Sequence, residues 1–217
     1  MIGISISARR EWEYTINHFN VQSEELSEYP FGKYFLKVIN GNDVIFYYTG
    51  VRKVNAAAAN QYMIIKFDLE KVIVTGTCAG IDNNYKVLDI IIPNVTYQYD
   101  CTVKEIEPLI KEKYTVKLDL SGLNFEFKTG SIGTADKAVV MWEDFLELKN
   151  NNITIADTES AAIAQVCKMN NVKCVIIKGI SDFPKDINSS NEQFNEFIDN
   201  VPKVMKTIFD DYLSLII

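Results

Sequence analysis

Short apolar runs recur along this chain and predict strands that lie inside a sheet. Residues 72–74 and 172–177 are apolar almost throughout, which suits strands covered on both faces. Asn-Gly at 40–41 joins two further runs, Gly32–Ile39 and 44–49, and predicts a β-hairpin. Four more β-rich runs predict strands at residues 2–7, 87–95, 123–129 and 153–156.

Stretches with helical propensity separate these runs. The clearest is Lys53–Phe67, which contains four consecutive alanines. The pattern predicts four other helices, at residues 11–19, 105–112, 159–169 and 192–215. Strands that alternate with helices favour an α/β fold, here a three-layer α/β/α arrangement around a central mixed sheet. No linker, repeat or low-complexity tract divides residues 1–217, so we expect a single domain.

Composition removes several classes of function. Of the 217 residues, 47% are apolar and 24% are charged, which is typical of a globular protein rather than a disordered one. The net charge of −7 argues against nucleic acid and anionic membranes as partners. Four cysteines without a CxxC pair and a single His give no zinc-ligand set, and we expect no metal or cofactor. Without a signal-like start or a membrane-length apolar run, the expected location is cytoplasmic.

Polar side chains and glycines follow the predicted strands. In open α/β sheets, ligands bind beyond the carboxyl ends of the strands. Those positions here hold Ser7 to Glu11, a small-residue turn at 75–80, Asp157 to Ser160, and Lys178 to Asp182. Several carboxylates at one edge suit acid–base chemistry on a polyhydroxy or nitrogen-rich substrate. Each signal alone is weak, because acidic residues at such junctions also act as helix N-caps and glycine turns are common.

The order of these segments resembles the purine/uridine phosphorylase-like superfamily. Among its members, the chain is most similar to the 5′-methylthioadenosine/S-adenosylhomocysteine nucleosidases. The stretches that carry the resemblance are GISISARRE at the start, TGVRKVNAAAA at 49–59, VIVTGTCAGI at 72–81, DTESAAIAQVC at 157–167 and VIIKGISD at 175–182. They are spread over nearly the whole chain. The resemblance implies hydrolysis of the N-glycosidic bond of a purine nucleoside and a homodimer. As the pathway, methionine salvage and quorum-signal precursor metabolism both stay open.

The resemblance also implies roles for three carboxylates. Asp182 matches the general acid that protonates the departing purine, which requires a raised pKa in a dry pocket. Glu159 matches the carboxylate that accepts hydrogen bonds from the ribose hydroxyls. Glu11 matches the residue that positions and activates the attacking water.

Seven more residues follow from the same resemblance as substrate-binding candidates. Lys178 stands where the nucleosidases usually carry Arg and is expected to hold the water or Glu11. Ser181 would orient the acid, and Phe194 is expected to come from the partner subunit of a dimer. The remaining candidates are Ile180, Thr77, which would border the water and the sugar, Val51 on the 5′ side, and Thr158 in place of a methionine under the ribose.

Two alternatives stay open. A phosphorylase of the same family would need cationic groups for phosphate, but Val74 stands where that branch carries Arg, and Glu11 would repel phosphate. Arg9, Arg10 and Arg52 keep this alternative open. The second alternative is a non-catalytic nucleoside-binding protein. It stays open because the segment 133–139 lacks the aromatic residue that stacks on the base in the nucleosidases. Trp142 or Phe145, just downstream, would have to take the place of that aromatic residue.

Overall fold

The computed structural model describes residues 1–101, 109, 112–139, 142–184 and 190–217. Its strands are β1 (Ile2–Ile6), β2 (Ser27–Tyr29), β3 (Gly32–Ile39), β4 (Asn42–Tyr48), β5 (Lys71–Gly80), β6 (Ile90–Ile91), β7 (Val95–Gln98), β8 (Thr115–Lys117), β9 (Ser131–Thr134), β10 (Ile155–Asp157) and β11 (Lys173–Asp182). Its α-helices are α1 (Arg9–His18), α2 (Lys53–Phe67), α3 (Trp142–Asn150), α4 (Ser160–Met169), α5 (Ser190–Thr207) and α6 (Leu213–Ile216). A 3₁₀ turn covers Ser23–Glu25, and a π-helical segment, Ile208–Tyr212, joins α5 to α6.

The strands form one mixed sheet around β5. β1 runs parallel to both β4 and β5, and β11 runs parallel to the opposite edge of β5. Near its carboxyl end β5 also meets β10 in antiparallel orientation, with Ile155 opposite Gly80. From β10 the sheet continues through β9 and β7 to β8. The ends of β1, β5, β10 and β11 therefore come close together.

Helices cover both faces of this sheet. On one face, apolar residues of α2 and α4 pack on alternate residues of the central strands, such as Val72 and Val74. On the other face, Trp12 of α1 and apolar residues of α5 and α6 pack on the intervening residues of the same strands, such as Ile73 and Val175. Burial on both faces explains why β5 and β11 are almost wholly apolar in their first halves. The expected three-layer α/β/α architecture with a mixed central sheet is confirmed.

Four predicted elements differ from the structure. The segment 75–80 is not a turn, because β5 continues to Gly80 and pairs with β11 and β10. The run 87–95 is two strands, β6 and the start of β7, with Pro93 between them. The run 123–129 is not a strand: its alternate side chains pack on the core, but only Lys128 forms a bridge, to Ile91. The end of the predicted helix 192–215 includes the π segment.

The predicted helix at 105–112 lies largely outside the described residues. Lys53–Phe67 matches α2 at both ends, and the hairpin is present as β3 and β4. None of the described helices has both the length and the hydropathy needed to cross a membrane.

Candidate active site

The converging strand ends surround a cavity of about 280 Å³. α1 and α5 close its sides, and α4 begins at its edge. The cavity brings together every predicted site residue except Ile180. Those that line it are Glu11, Val51, Thr77, Thr158, Glu159, Lys178, Ser181, Asp182 and Phe194. Asp182, Glu159 and Glu11, which come from three distant parts of the chain, therefore face one shared space.

Glu11 is held in a fixed position by backbone and hydroxyl donors. Its Oε1 accepts hydrogen bonds from the backbone N and the Oγ1 of Thr77, each at 2.7 Å, and its Oε2 accepts one from the Ala8 backbone N at 3.1 Å. The side chain is 2% exposed. Glu11 is the third residue of α1, so the Ala8 contact also satisfies a free N–H at the start of that helix.

A glycine makes room for this carboxylate. A Cβ on Gly76 would lie 2.6 Å from Glu11 Oε1, well inside van der Waals contact. Gly76 also has a φ of +139°, a conformation that favours glycine. The small-residue segment is therefore part of strand β5, and the absence of a side chain at Gly76 leaves space for Glu11.

Asp182 ends β11 at a point where the pairing with β5 shifts by one residue. Its Oδ2 accepts a hydrogen bond from Gln193 Nε2 at 2.8 Å, and its Oδ1 lies 2.5 Å from Ser181 Oγ. Ser181 Oγ is also 3.2 Å from the carbonyl oxygen of Cys78. Because that carbonyl can only accept, Ser181 can donate to it and accept from a protonated Oδ1. This arrangement can hold a proton on Oδ1 of Asp182.

Glu159 lies across the cavity at the start of α4. Its Oε1 accepts a hydrogen bond from the Arg52 backbone N at 2.7 Å and another from Thr158 Oγ1. Burial raises the pKa of Glu159 to about 7, and the charge of Asp157 acts in the same direction, against the opposing effect of Lys178. Arg52 adopts a φ of +82° to present its N–H, a conformation that favours glycine.

Lys178 is completely buried and pairs with Asp157. Its Nζ lies 3.2 Å from Asp157 Oδ2. Lys178 and Glu11, both within the described part of the chain, share no hydrogen bond. Burial by itself lowers the pKa of Lys178, but the charges of Asp157, Glu11 and Glu159 outweigh it and raise that pKa. The sequence predicts that Lys178 holds the water or Glu11; in the structure its Nζ pairs with Asp157, and Glu11 acts on it through charge. Asp157 Oδ1 also accepts from the Ser160 backbone N at 3.1 Å, so Asp157 bonds to the first N–H of α4, although the N-cap residue itself is Glu159.

Two other candidates are placed differently from their expected positions. The Ile180 side chain is fully buried in the core, and its backbone N–H donates to the Asp89 carbonyl oxygen, so it does not reach the cavity. Phe194 lines the cavity of its own chain, whereas the resemblance implies that this residue comes from the partner subunit. α5 folds back across β11, which brings Phe194 to the cavity without a second copy.

Sequence reasoning missed two cavity residues on α5. Gln193 and Phe197 both line the cavity, and Phe197 stands three residues after Phe194, a spacing that puts both rings on one side of the helix. In the sequence, that spacing is the only indication that Phe197 reaches the cavity, and nothing indicates that Gln193 does. Trp142 and Phe145 stack on each other with ring centroids 4.7 Å apart and do not line the cavity.

The cavity has few groups suited to phosphate or a metal ion. Of the described residues that line it, Lys178 is the one cation, and it is already paired. Arg9 pairs with Glu13 at the surface, Arg10 and Arg52 are exposed, and Val74 is buried. Across the described part of the chain, no group of three or more His, Cys, Asp or Glu side chains is placed to hold a metal ion.

Comparison with known families shows to which family the chain belongs. The family model described as the phosphorylase superfamily matches residues 10–214. The chain belongs to the phosphorylase superfamily. Superfamily relatives include a 5′-methylthioadenosine/S-adenosylhomocysteine nucleosidase of Geobacillus sp. (strain WCH70), 28% identical over 92% of this chain and 93% of its own. The nucleosidase of the same name from Buchnera aphidicola is 27% identical and covers 99% of both chains.

Solved structures of the superfamily share the fold. The futalosine hydrolase of Helicobacter pylori superposes with a TM-score of 0.84 at 20% identity, covering 99% of this chain and 96% of the other. A Helicobacter pylori 5′-methylthioadenosine nucleosidase variant, solved with 5′-methylthioadenosine in its active site, gives a TM-score of 0.80 at 22% identity and covers 97% and 98%. At these identities the likeness establishes the architecture.

Proposed function

We propose that this member of the phosphorylase superfamily hydrolyses the N-glycosidic bond of a purine nucleoside. The substrate is 5′-methylthioadenosine, S-adenosylhomocysteine or a related 5′-modified nucleoside, as the names of the curated relatives suggest. The observation that carries the proposal is the meeting of Asp182, Glu159 and Glu11 around one cavity.

Each carboxylate has the surroundings that its proposed role needs. Asp182 protonates the departing purine, and the Ser181 hydroxyl can accept a hydrogen bond from the protonated acid. Glu159, once ionised, accepts hydrogen bonds from the ribose hydroxyls. Glu11 takes the proton of the attacking water while Thr77 and Ala8 hold its carboxylate in place. Lys178 offsets part of the negative charge that these carboxylates bring together.

Water is favoured over phosphate as the nucleophile. The cavity of the described residues holds several carboxylates and one paired cation, so a phosphate dianion would meet net negative charge. A phosphorylase and a non-catalytic nucleoside-binding protein are the competing functions.

One assay separates these three functions. The purified protein is incubated with 5′-methylthioadenosine, S-adenosylhomocysteine, adenosine and inosine, with and without inorganic phosphate, and free base is followed. Release that does not depend on phosphate supports the nucleosidase. Strict dependence on phosphate identifies a phosphorylase, and thermal stabilisation by a nucleoside without base release identifies a binding protein.

We further propose a cytoplasmic homodimer. Exposed apolar side chains on α2 and at the end of α4, namely Val54, Ile65 and Met169, support a second copy on this face. All four cysteines are free, which suits a reducing compartment. Light scattering after size-exclusion chromatography tests the dimer, and subcellular fractionation tests the location.

A further inference from the structure

We propose that Gln193 selects purines that carry an amino group at C6 over purines that carry an oxo group there. The proposal rests on the proposed function and adds base preference to it. Gln193 is the side chain that lines the cavity and also bonds directly to the proposed acid Asp182 through an uncharged amide. It is 5% exposed, so its hydrogen bonds form away from bulk water.

The hydrogen bonds of Gln193 fix which way its amide faces. Nε2 donates to Asp182 Oδ2 at 2.8 Å and to the backbone carbonyl oxygen of Val139 at 3.0 Å. A backbone carbonyl can only accept, so the atom facing it must be the NH₂ group. Both hydrogens of Nε2 are used in this way. Oε1 therefore remains as the acceptor, and no described residue donates a hydrogen bond to it.

The chemistry of the purine edge matches this pair of side chains. N7 and the substituent at C6 lie side by side on that edge: in adenine, N7 accepts and the 6-amino group donates, whereas in 6-oxopurines both positions accept. The proposal has Asp182 protonate N7 and places the neighbouring C6 substituent on the side of Gln193, whose amide bonds to the same carboxyl group. Oε1 can accept a hydrogen bond from a 6-amino group there.

A 6-oxo group reverses this match. It would place an acceptor against Oε1, and turning the Gln193 amide to present Nε2 would leave Oε1 facing the carbonyl oxygen of Val139 and Oδ2 of Asp182. The turn would therefore break two hydrogen bonds and create two contacts between acceptors. Sites that bond a polar substituent in this way discriminate strongly against analogues that cannot make the bond.

The test compares substrates that differ only at C6. Hydrolysis of 5′-methylthioadenosine and 5′-methylthioinosine is measured for the wild type, for Gln193→Met and for the control Glu192→Met, which alters an exposed neighbour on the same helix. We expect kcat/KM of the wild type to favour the 6-amino substrate by about tenfold or more. In Gln193→Met that ratio should fall to about threefold or less, while Glu192→Met keeps the wild-type ratio.

Two results would overturn the proposal. One is a wild type without preference, and the other is a Gln193→Met variant that loses activity on both substrates equally and so keeps the wild-type ratio. The second result would mean that Gln193 only positions Asp182. In either case phosphate-independent base release would leave the proposed function standing.

Equilibrium binding of free bases to the wild type tests the same proposal without requiring hydrolysis or the Gln193→Met variant. Calorimetry of the wild type with adenine, unsubstituted purine and hypoxanthine should rank their affinities in that order. Equal affinity for adenine and purine would contradict the role of Oε1, even if the protein proved to lack hydrolytic activity or Gln193→Met failed to fold.

Discussion

In the proposed function, one proton on Asp182 decides between hydrolysis and simple binding. Asp182→Asn keeps the size of the side chain and can still bond to Ser181 and Gln193, but it has no acidic proton to give to the purine. We expect kcat for base release to fall by about 10²-fold or more, since general acid catalysis typically contributes 10²–10⁴. The dissociation constant for the nucleoside should change by about threefold or less.

Single-turnover kinetics and calorimetry on the same preparation check this prediction. Glu143→Gln, an exposed carboxylate on α3 away from the cavity, provides the matched control. A variant that keeps more than about a tenth of the wild-type kcat would remove Asp182 from the role of general acid.

Glu159 links binding to pH and to stability. Its pKa is raised from 4.5 to about 7 in the folded protein. Between these values the folded state binds more protons than the unfolded state, so the free energy of unfolding decreases as pH rises from about 4.5 to 7. The contribution amounts to about 3 kcal/mol at most. The ionised form of Glu159, which accepts the ribose hydroxyls in the proposed function, is therefore the less stable form of the free protein.

Chemical denaturation as a function of pH measures this effect. We expect Glu159→Gln to flatten the slope between pH 5 and about 7, and to unfold at higher urea than the wild type at pH 8. The same variant should bind nucleoside more weakly, because an amide is a poorer acceptor for two hydroxyl groups than a carboxylate. An unchanged slope would show that Glu159 does not titrate in this range.

At the residue scale, the sequence revealed acids better than it revealed their partners. Asp157 and Asp182 are the last residues of strands that begin with apolar runs, so their place at the edge of the sheet could be predicted from the pattern. Gln193 lies on a helix without any motif, and its contact with Asp182 depends on how α5 folds back. Nothing in the pattern around Arg52 indicated its positive φ, which lets its backbone N–H reach Glu159.

At the scale of elements, β5 depends on a glycine where side chains would otherwise collide. Gly76→Ala would place a methyl group 2.6 Å from Glu11 Oε1 at a φ of +139°. We expect a loss of about 2–4 kcal/mol in the free energy of unfolding and a fall in kcat, since Glu11 must move away from Thr77.

Combining this change with Glu11→Ala separates the two costs. In the Glu11→Ala background, Gly76→Ala should cost about half as much, because the collision is gone and the backbone strain alone remains. Urea denaturation of the four proteins completes the double-mutant cycle. Costs that simply add would show that Gly76 does not serve to admit the carboxylate.

Elements were predicted well where periodicity and pairing agree. α2 matched at both ends because its alanine-rich run is both helix-favouring and buried at regular intervals. The alternation of apolar and polar residues at 123–129 correctly indicated which side chains face the core. Such an alternation does not guarantee that a neighbouring strand pairs with the segment. The small residues 75–80 suggested a turn, although Gly76 and Gly80 are needed where Glu11 and Phe183 approach the strand closely.

At the scale of the whole molecule, the Lys178–Asp157 pair joins the two arms of the sheet. Lys178 lies on β11, at one edge of β5, and Asp157 ends β10, which leads to β9 and β7. Both side chains are nearly inaccessible, at 2% and 3% exposed. Removing one partner of a buried ion pair leaves an uncompensated charge, which costs about 3–5 kcal/mol. In this cavity the loss of Lys178 would also leave Glu159 and Glu11 facing each other without a cation.

Lys178→Met should therefore destabilise the protein by about 3–5 kcal/mol and raise the pH at which nucleoside binding reaches its half-maximum, because Glu159 ionises less readily. Lys178→Met combined with Asp157→Asn should recover part of the stability, since the amide carries no charge and can still accept from the Ser160 N–H. Urea denaturation and binding titrations across pH measure both effects. If the double variant is no more stable than Lys178→Met, the pair acts through packing of the lysine stem rather than through charge, and the electrostatic link between the two arms is absent.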